Sequence, residues 1–222
     1  MSVQYSGVPL RLYMHPLASF CQKVLIALYE NGTPFEPHIV DLGNETSREA
    51  FKKIWPIGKF PVLRDEALDR TIPESSIIIE YLAQHYPGRT ELVPADADRA
   101  RETRLRDRFY DLYVMEPMQK IVTDKLRPVG HNDSHGVAQA RVLLETAYGM
   151  IEQDMATKTW AMGEDFSMAD CAAAPALFYA NLVQPFGATH KHVSAYHKRL
   201  MQRPSVARVV EEARPYMTLF PG

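Results

Sequence analysis

The stretch Trp55-Pro56-Ile57-Gly58-Lys59-Phe60-Pro61-Val62-Leu63, followed by Pro73-Glu74-Ser75-Ser76-Ile77, decides how the chain is read. Gly58 supplies the backbone freedom for a tight turn, and Phe60 to Leu63 form an apolar run of strand type. Pro61 stands where that strand begins. Without an N–H it cannot donate to a ladder, so it marks an edge or a special turn. The second piece has the chemistry of a helix start: a proline, an acid, two serines and then Ile77-Ile78-Ile79. An acid suits the positive end of a helix, and a serine hydroxyl can cap it.

On the N-terminal side, Leu10 to Met14 alternates and predicts a first strand, ended by His15-Pro16. Ser19 is expected to cap a helix from Phe20 to Asn31, with Val24, Leu25, Leu28 and Tyr29 on its apolar face and Asn31-Gly32 closing it. Phe35 to Val40 predicts a second strand and Thr46 to Ile54 a short polar helix. After the Pro61 strand come a turn at Arg64-Asp65-Glu66, a short strand ending near Ile72, and a helix from Glu74 to His85. This order is the thioredoxin-like pattern, with right-handed crossovers expected.

Tyr86 to Pro94 breaks the periodicity, and everything beyond it is helical in pattern. Ala95 to about Lys125 predicts one long helix with a kink at Pro117. Ser134 to Ala156 predicts a second and Ser167 to about Val183 a third. The alanines of the third imply close packing on all sides, and Pro175 a bend. Ser167 and Asp170 have the spacing of a capping box. Two shorter helices are split at Arg203-Pro204-Ser205, and Tyr216 to Gly222 is expected to be irregular. The fold class is therefore α/β plus all-α: a thioredoxin-like domain over 1–87, a linker over 88–94 and an α-helical bundle domain over 95–222.

The chain of 222 residues has a net charge of −2 and only two cysteines, Cys21 and Cys171, far apart. No charge excess steers it to nucleic acid or an anionic membrane. There is no CxxC, zinc spacing or disulfide framework, so a reducing, cytoplasmic setting and no metal are expected. Met1 to Gly7 lacks a basic and apolar leader pattern, and no apolar run is long enough to span a membrane. The arginines Arg99, Arg101, Arg104, Arg106 and Arg108 are interleaved with acids. That pattern indicates a solvated or subunit-facing helix surface rather than a nucleic-acid site.

The motif pair WPIGKFPVL and PESSII resembles the glutathione-binding motifs of the cytosolic glutathione transferases, and the resemblance extends over the whole chain. It is closest to the bacterial, serine-type, zeta- or theta-like members. The Ser167–Asp170 box matches the cap of the core helix in that family's helical domain. The resemblance implies a cis bond before Pro61, a homodimer with Phe60 near its surface, and two small-molecule partners: glutathione and an apolar electrophile bound between the domains.

Glutathione carries two carboxylates, one ammonium and a thiol. By resemblance, Glu74 holds the γ-glutamyl ammonium and Ser75 the neighbouring carboxylate at a helix N-terminus. Val62, beside Pro61, pairs its backbone with the cysteinyl unit, and Lys59 reaches the glycyl carboxylate. Catalysis means forming thiolate from a thiol of pKa about 8.5. Each tenfold gain in thiolate requires about 1.4 kcal/mol of preferential stabilisation. The usual donor position of the serine-type classes falls on Ala18 here, and three readings stay open. Ser19 donates; or backbone N–H groups near Ala18 and Ser19 do most of the work, with Ser19 mainly a cap; or Tyr13 or Cys21 takes over. His15 and Leu17 are acceptor-pocket candidates simply by position, and Tyr110 and Tyr113 because members of the family place acceptor-site residues on that helix; core packing is the competing role for the tyrosines. Rival functions are a glutathione-dependent peroxidase, reductase or isomerase on the same site, and a ligand carrier that keeps the fold without turnover.

Overall fold

In β1, Leu10–Met14, the alternation places Leu10, Leu12 and Met14 in the main core and turns Tyr13 to the opposite face. This computed structural model describes residues 8–221, so the readings made of Met1 to Gly7 and of Gly222 lie outside the described residues. β2, Glu36–Ile39, runs parallel to β1, while β3, Val62–Asp65, and β4, Arg70–Pro73, continue antiparallel. The sheet order is β2-β1-β3-β4. Helices α1, Ser19–Asn31, and α3, Ser75–His85, share the main core on one face. Helix α2, Glu45–Ile54, covers the other, where Phe51 packs with Tyr13, Val40 and Val62. This is the thioredoxin-like arrangement anticipated from the element order.

α1 ends as its sequence dictates. Gly32 takes φ 61°, and its left-handed turn lets the Thr33 N–H reach the Leu28 carbonyl at 2.9 Å. Its start differs from expectation. The cap position is Ala18, and Ser19 is already the first helical residue. The turn before it closes through the backbone, Ala18 N–H to His15 carbonyl at 3.0 Å, which admits the chain to the helix one residue early. α3 shows the same displacement: Glu74 occupies the cap position without a side-chain cap bond, and both serines lie inside the first turn.

The helical region follows as α4, Ala97–Phe109, a π-helical segment, Tyr110–Met115, and α5, Glu116–Lys125. Thus the predicted single helix is not uniformly α, and its irregularity takes the form of π winding just before Pro117. Pro117 has no N–H to offer the carbonyl one turn back, and a widened turn accommodates that loss. α6 is Ser134–Met155, α7 Met168–Val183, α8 Lys191–Gln202 and α9 Pro204–Ala213. A 3-10 helix, Arg214–Leu219, follows where an irregular tail was expected. Pro215 there suits the first positions of a helical turn, where a missing N–H costs nothing.

α7 is buried all round, as its alanines imply. Its capping box is complete, and the buried Asp170 also accepts from Ala161 N–H at 2.8 Å and Tyr196 hydroxyl at 2.6 Å. The five arginines of α4 each pair with at least one acid; Arg104 bridges to Glu80 of α3 through two bonds of 2.8 Å.

α1 packs against α3 but also against α7 and α9, so it belongs to both halves of the molecule. At its centre Lys23 is 1% exposed. Its ammonium lies 2.6 Å from Asp107 of α4, 2.7 Å from Asp111 of the π segment and 2.9 Å from the Ser76 hydroxyl of α3. Burial raises the pKa of Asp111, and the Lys23 charge opposes that rise. Removing one partner of such a cluster strands the others without water. Lys23→Met is therefore expected to lower stability by about 3–5 kcal/mol in denaturant unfolding. A loss below about 1 kcal/mol would contradict this role.

Candidate functional site

Two cavities adjoin at the seam between the sheet domain and the helices. The first, about 290 Å³, is polar, with Lys59, Glu74 and Ser75 from one side and Arg108, Asp111 and Gln119 from the other. The second, about 500 Å³, is mainly apolar. Leu17, Met118, Val122, Tyr179 and Phe220 contribute to it, with Ser19 at its edge. Phe20, Lys59, Phe60 and Gln119 line both, so they form the common wall.

Turn geometry sets the polar cavity. The Phe60–Pro61 peptide is cis, as the resemblance implied, and Pro61 leads directly into β3. Val62 offers no free edge, because Tyr13 flanks it on one side and Pro73 on the other. The open main chain sits instead at Phe60, whose N–H and carbonyl have no partner among the described residues. Glu74 takes φ 70°, a left-handed value costly for a residue with a Cβ. Its exposed carboxylate caps nothing and pairs with no cation among the described residues. Ser75 beside it is buried in the first turn of α3.

The border between the cavities is the N-terminus of α1. The preceding turn is held on every side: Leu17 N–H to His15 Nδ1 at 3.2 Å, Gln22 N–H to the Ala18 carbonyl at 2.9 Å, and Tyr179 hydroxyl to the Leu17 carbonyl at 2.8 Å. Since Ala18 has no side-chain acceptor, the N–H groups of Ser19, Phe20 and Cys21 have no partner among the described residues. Such free donors attract an anion.

Of the other donor candidates, Cys21 is fully buried and burial pushes its thiol up to about 12. Tyr13 packs with Val40, Phe51 and Val62 on the far side of the sheet. Neither lines a cavity. Of the acceptor-pocket candidates, Leu17 lines the apolar cavity. His15 stands behind it, edge-on to Tyr216 at 4.9 Å. Tyr110 is buried against the core, and Tyr113 is exposed on the surface, so the structure brings neither to the cavity.

Sequence reasoning missed Arg108, Asp111, Gln119, Tyr179 and Phe220. Arg108 and Asp111 sit within an ordinary-looking mixed-charge helix, and Tyr179 follows an alanine-rich core stretch, so no local signal marks them. Among the described residues no group of His, Cys, Asp and Glu could hold a metal ion, and no helix is long and apolar enough to cross a membrane.

Comparison with known proteins agrees with this geometry. The glutathione S-transferase N-terminal domain family matches residues 12–90, and the C-terminal domain family matches residues 109–204. A glutathione S-transferase-like protein of a Fusarium species, LUC7, is 30% identical over 163 residues, covering 71% of either chain. A stringent starvation protein A homolog of Haemophilus influenzae is 29% identical, over 88% of this chain and 87% of its own. The crystal structure of a glutathione S-transferase from Methylobacterium radiotolerans, in complex with glutathione sulfonate, superposes with a TM-score of 0.78 at 25% identity, over 90% of this chain and 94% of that one.

Two outcomes follow from the strained turn and the neighbouring imidazole. Glu74→Gly is expected to raise unfolding stability by about 1 kcal/mol, since glycine adopts positive φ freely. If stability instead falls, the backbone there is not strained. Burial lowers the His15 pKa below its usual 6.5. Above that pH the imidazole is neutral in both states. Below it the unfolded chain takes the proton first, so stability drops with falling pH until the folded-state pKa is passed. His197, lowered by the same cause, adds to this slope. Chemical denaturation between pH 7.5 and 5 should show a shallower slope in His15→Asn; an unchanged slope would refute the assignment.

Proposed function

The chain belongs to the glutathione S-transferase superfamily, and from that premise we propose that it is a glutathione transferase. It binds glutathione in the polar cavity and activates its thiol against an apolar electrophile held in the adjoining one. The observation that carries this reading is the pairing of the two cavities across a common wall, with the uncapped N-terminus of α1 at their border.

In this reading Glu74 holds the γ-glutamyl ammonium. Ser75, with the first-turn N–H groups of α3, holds the adjacent carboxylate. Lys59 meets the glycyl carboxylate as a point charge. The cysteinyl backbone pairs with the open N–H and carbonyl of Phe60, the residue before Pro61, rather than with Val62. This places the thiol at α1, where the Ser19 hydroxyl and the free N–H groups of Ser19 and Phe20 stabilise the thiolate. The thiol proton leaves to solvent. The sulfur pair then forms a bond to the electrophilic carbon as the leaving group departs with its own pair, or as a conjugated acceptor takes up a proton. The apolar lining favours a hydrophobic acceptor. Ile77 of α3 and Leu105, Leu112 and Tyr113 of α4 and the π segment are exposed and apolar, which supports a homodimer through these helices. The cytoplasm is the expected location.

A second reading is a regulatory or carrier protein that binds glutathione without turnover. Ala18 at the donor position favours it, as does the likeness to a stringent starvation protein A homolog. Peroxidase, reductase or isomerase chemistry would use the same thiolate on a different acceptor.

An ultraviolet titration of protein-bound glutathione separates these. Thiolate should form well below pH 8.5 in the wild type and about tenfold less in Ser19→Ala. Thiolate retained in the variant would assign the work to the backbone donors. Binding without thiolate would establish the carrier reading, and absence of binding would remove the function altogether.

A further inference from the structure

Of the two side chains that hold the turn before α1, Gln22 lies on α1 itself and Tyr179 comes from a distant part of the chain. The Tyr179 hydroxyl, on α7, donates to the Leu17 carbonyl at 2.8 Å and accepts from Gln22 Nε2 at 2.9 Å. Gln22 Nε2 spends its second hydrogen on the Pro16 carbonyl at 2.8 Å. Two successive carbonyls of the turn are thus tied to one buried pair. Tyr179 is 2% exposed, and its ring also lines the apolar cavity and stacks on Phe220 at 5.3 Å. Burial raises its pKa, so the hydroxyl stays a donor.

A tie of this kind is more than packing requires. Released from Tyr179, the Leu17 carbonyl could accept the Cys21 N–H and extend α1 by one residue. With the carbonyl held elsewhere, the Cys21 N–H joins those of Ser19 and Phe20, which a helix start leaves open in any case, as donors without a partner among the described residues. We propose that Tyr179, acting with Gln22, is a positioning residue that holds the Pro16–Ala18 turn so that the donors at the start of α1 face the glutathione sulfur. This rests on the glutathione transferase reading. It also makes thiol activation sensitive to what fills the apolar cavity, because the same ring forms that cavity's wall.

The test uses Tyr179→Phe, which keeps the ring, the cavity wall and the stack on Phe220 and removes only the hydroxyl. Gln22→Met, which severs the same tie from α1, serves as a second variant should the first fold poorly. Glutathione affinity is measured by calorimetry and the pKa of the bound thiol by ultraviolet titration, with thermal unfolding alongside. In both variants affinity measured at a pH below the bound thiol's pKa should stay within about twofold, because Lys59, Phe60, Glu74 and Ser75 are untouched. The thiolate fraction below the free thiol's pKa should fall about tenfold, the scale of a sub-ångström misplacement of donors. Loss of thermal stability with an unchanged thiol pKa would overturn the proposal and leave Tyr179 purely structural. A loss of affinity of about tenfold at that low pH, where the bound thiol is protonated, would overturn it too. A wild-type protein that binds glutathione without lowering its thiol pKa would instead defeat the transferase reading on which the proposal stands.

Discussion

The buried ammonium of Lys23 is the constraint on which the molecule depends. A charge taken out of water must find opposite charges and acceptors at close range or it does not stay folded. Lys23 finds them in Asp107, Asp111 and Ser76, which belong to three different elements. α1 therefore cannot settle in the sheet domain alone. Its partners oblige α3 and the α4–π segment to converge on it, and the helical region is drawn onto the sheet domain at one orientation. A hydrophobic seam would also bind the two parts, but it would not specify their register so narrowly.

That convergence makes the site. The polar cavity exists because α3 and the π segment meet beside the Lys23 cluster, with Asp111 belonging to both. The apolar cavity exists because α7 crosses over the start of α1 and the final 3-10 helix folds back on it. Between them stand a helix start without a cap and a glutamate held at positive φ. Each departs from what a stable helix start would choose, and the surrounding structure absorbs the cost. Such departures concentrate where a ligand is to complete the hydrogen bonding.

Much of this was legible in the residues. The strand of Leu10 to Met14, the glycine stop of α1, the two motif segments and the Ser167–Asp170 box were all readable, because each is governed by neighbours a few positions away. The first-turn assignments at Ser19 and Ser75 were displaced by one residue. A serine near a helix start can be cap or first turn, and only the preceding turn's own hydrogen bonds decide which. Val62 was read as the open edge because it follows Pro61. The sheet shows it flanked on both sides, with the free main chain at Phe60.

By itself the sequence determined the element order and, through the likeness of its two motif segments, the family. The order follows from periodicity and from proline and glycine geometry, and the family from the resemblance of two short segments whose residues lie close together in the chain. Tertiary structure alone decided that Lys23 is buried, that Arg108 and Asp111 face the polar cavity, and that Tyr179 holds the turn carrying Ser19. These contacts join residues roughly ninety to one hundred and sixty positions apart in Lys23–Asp111 and Leu17–Tyr179. A side chain's local pattern cannot report a partner at that distance, because the partner arrives only when the helices pack.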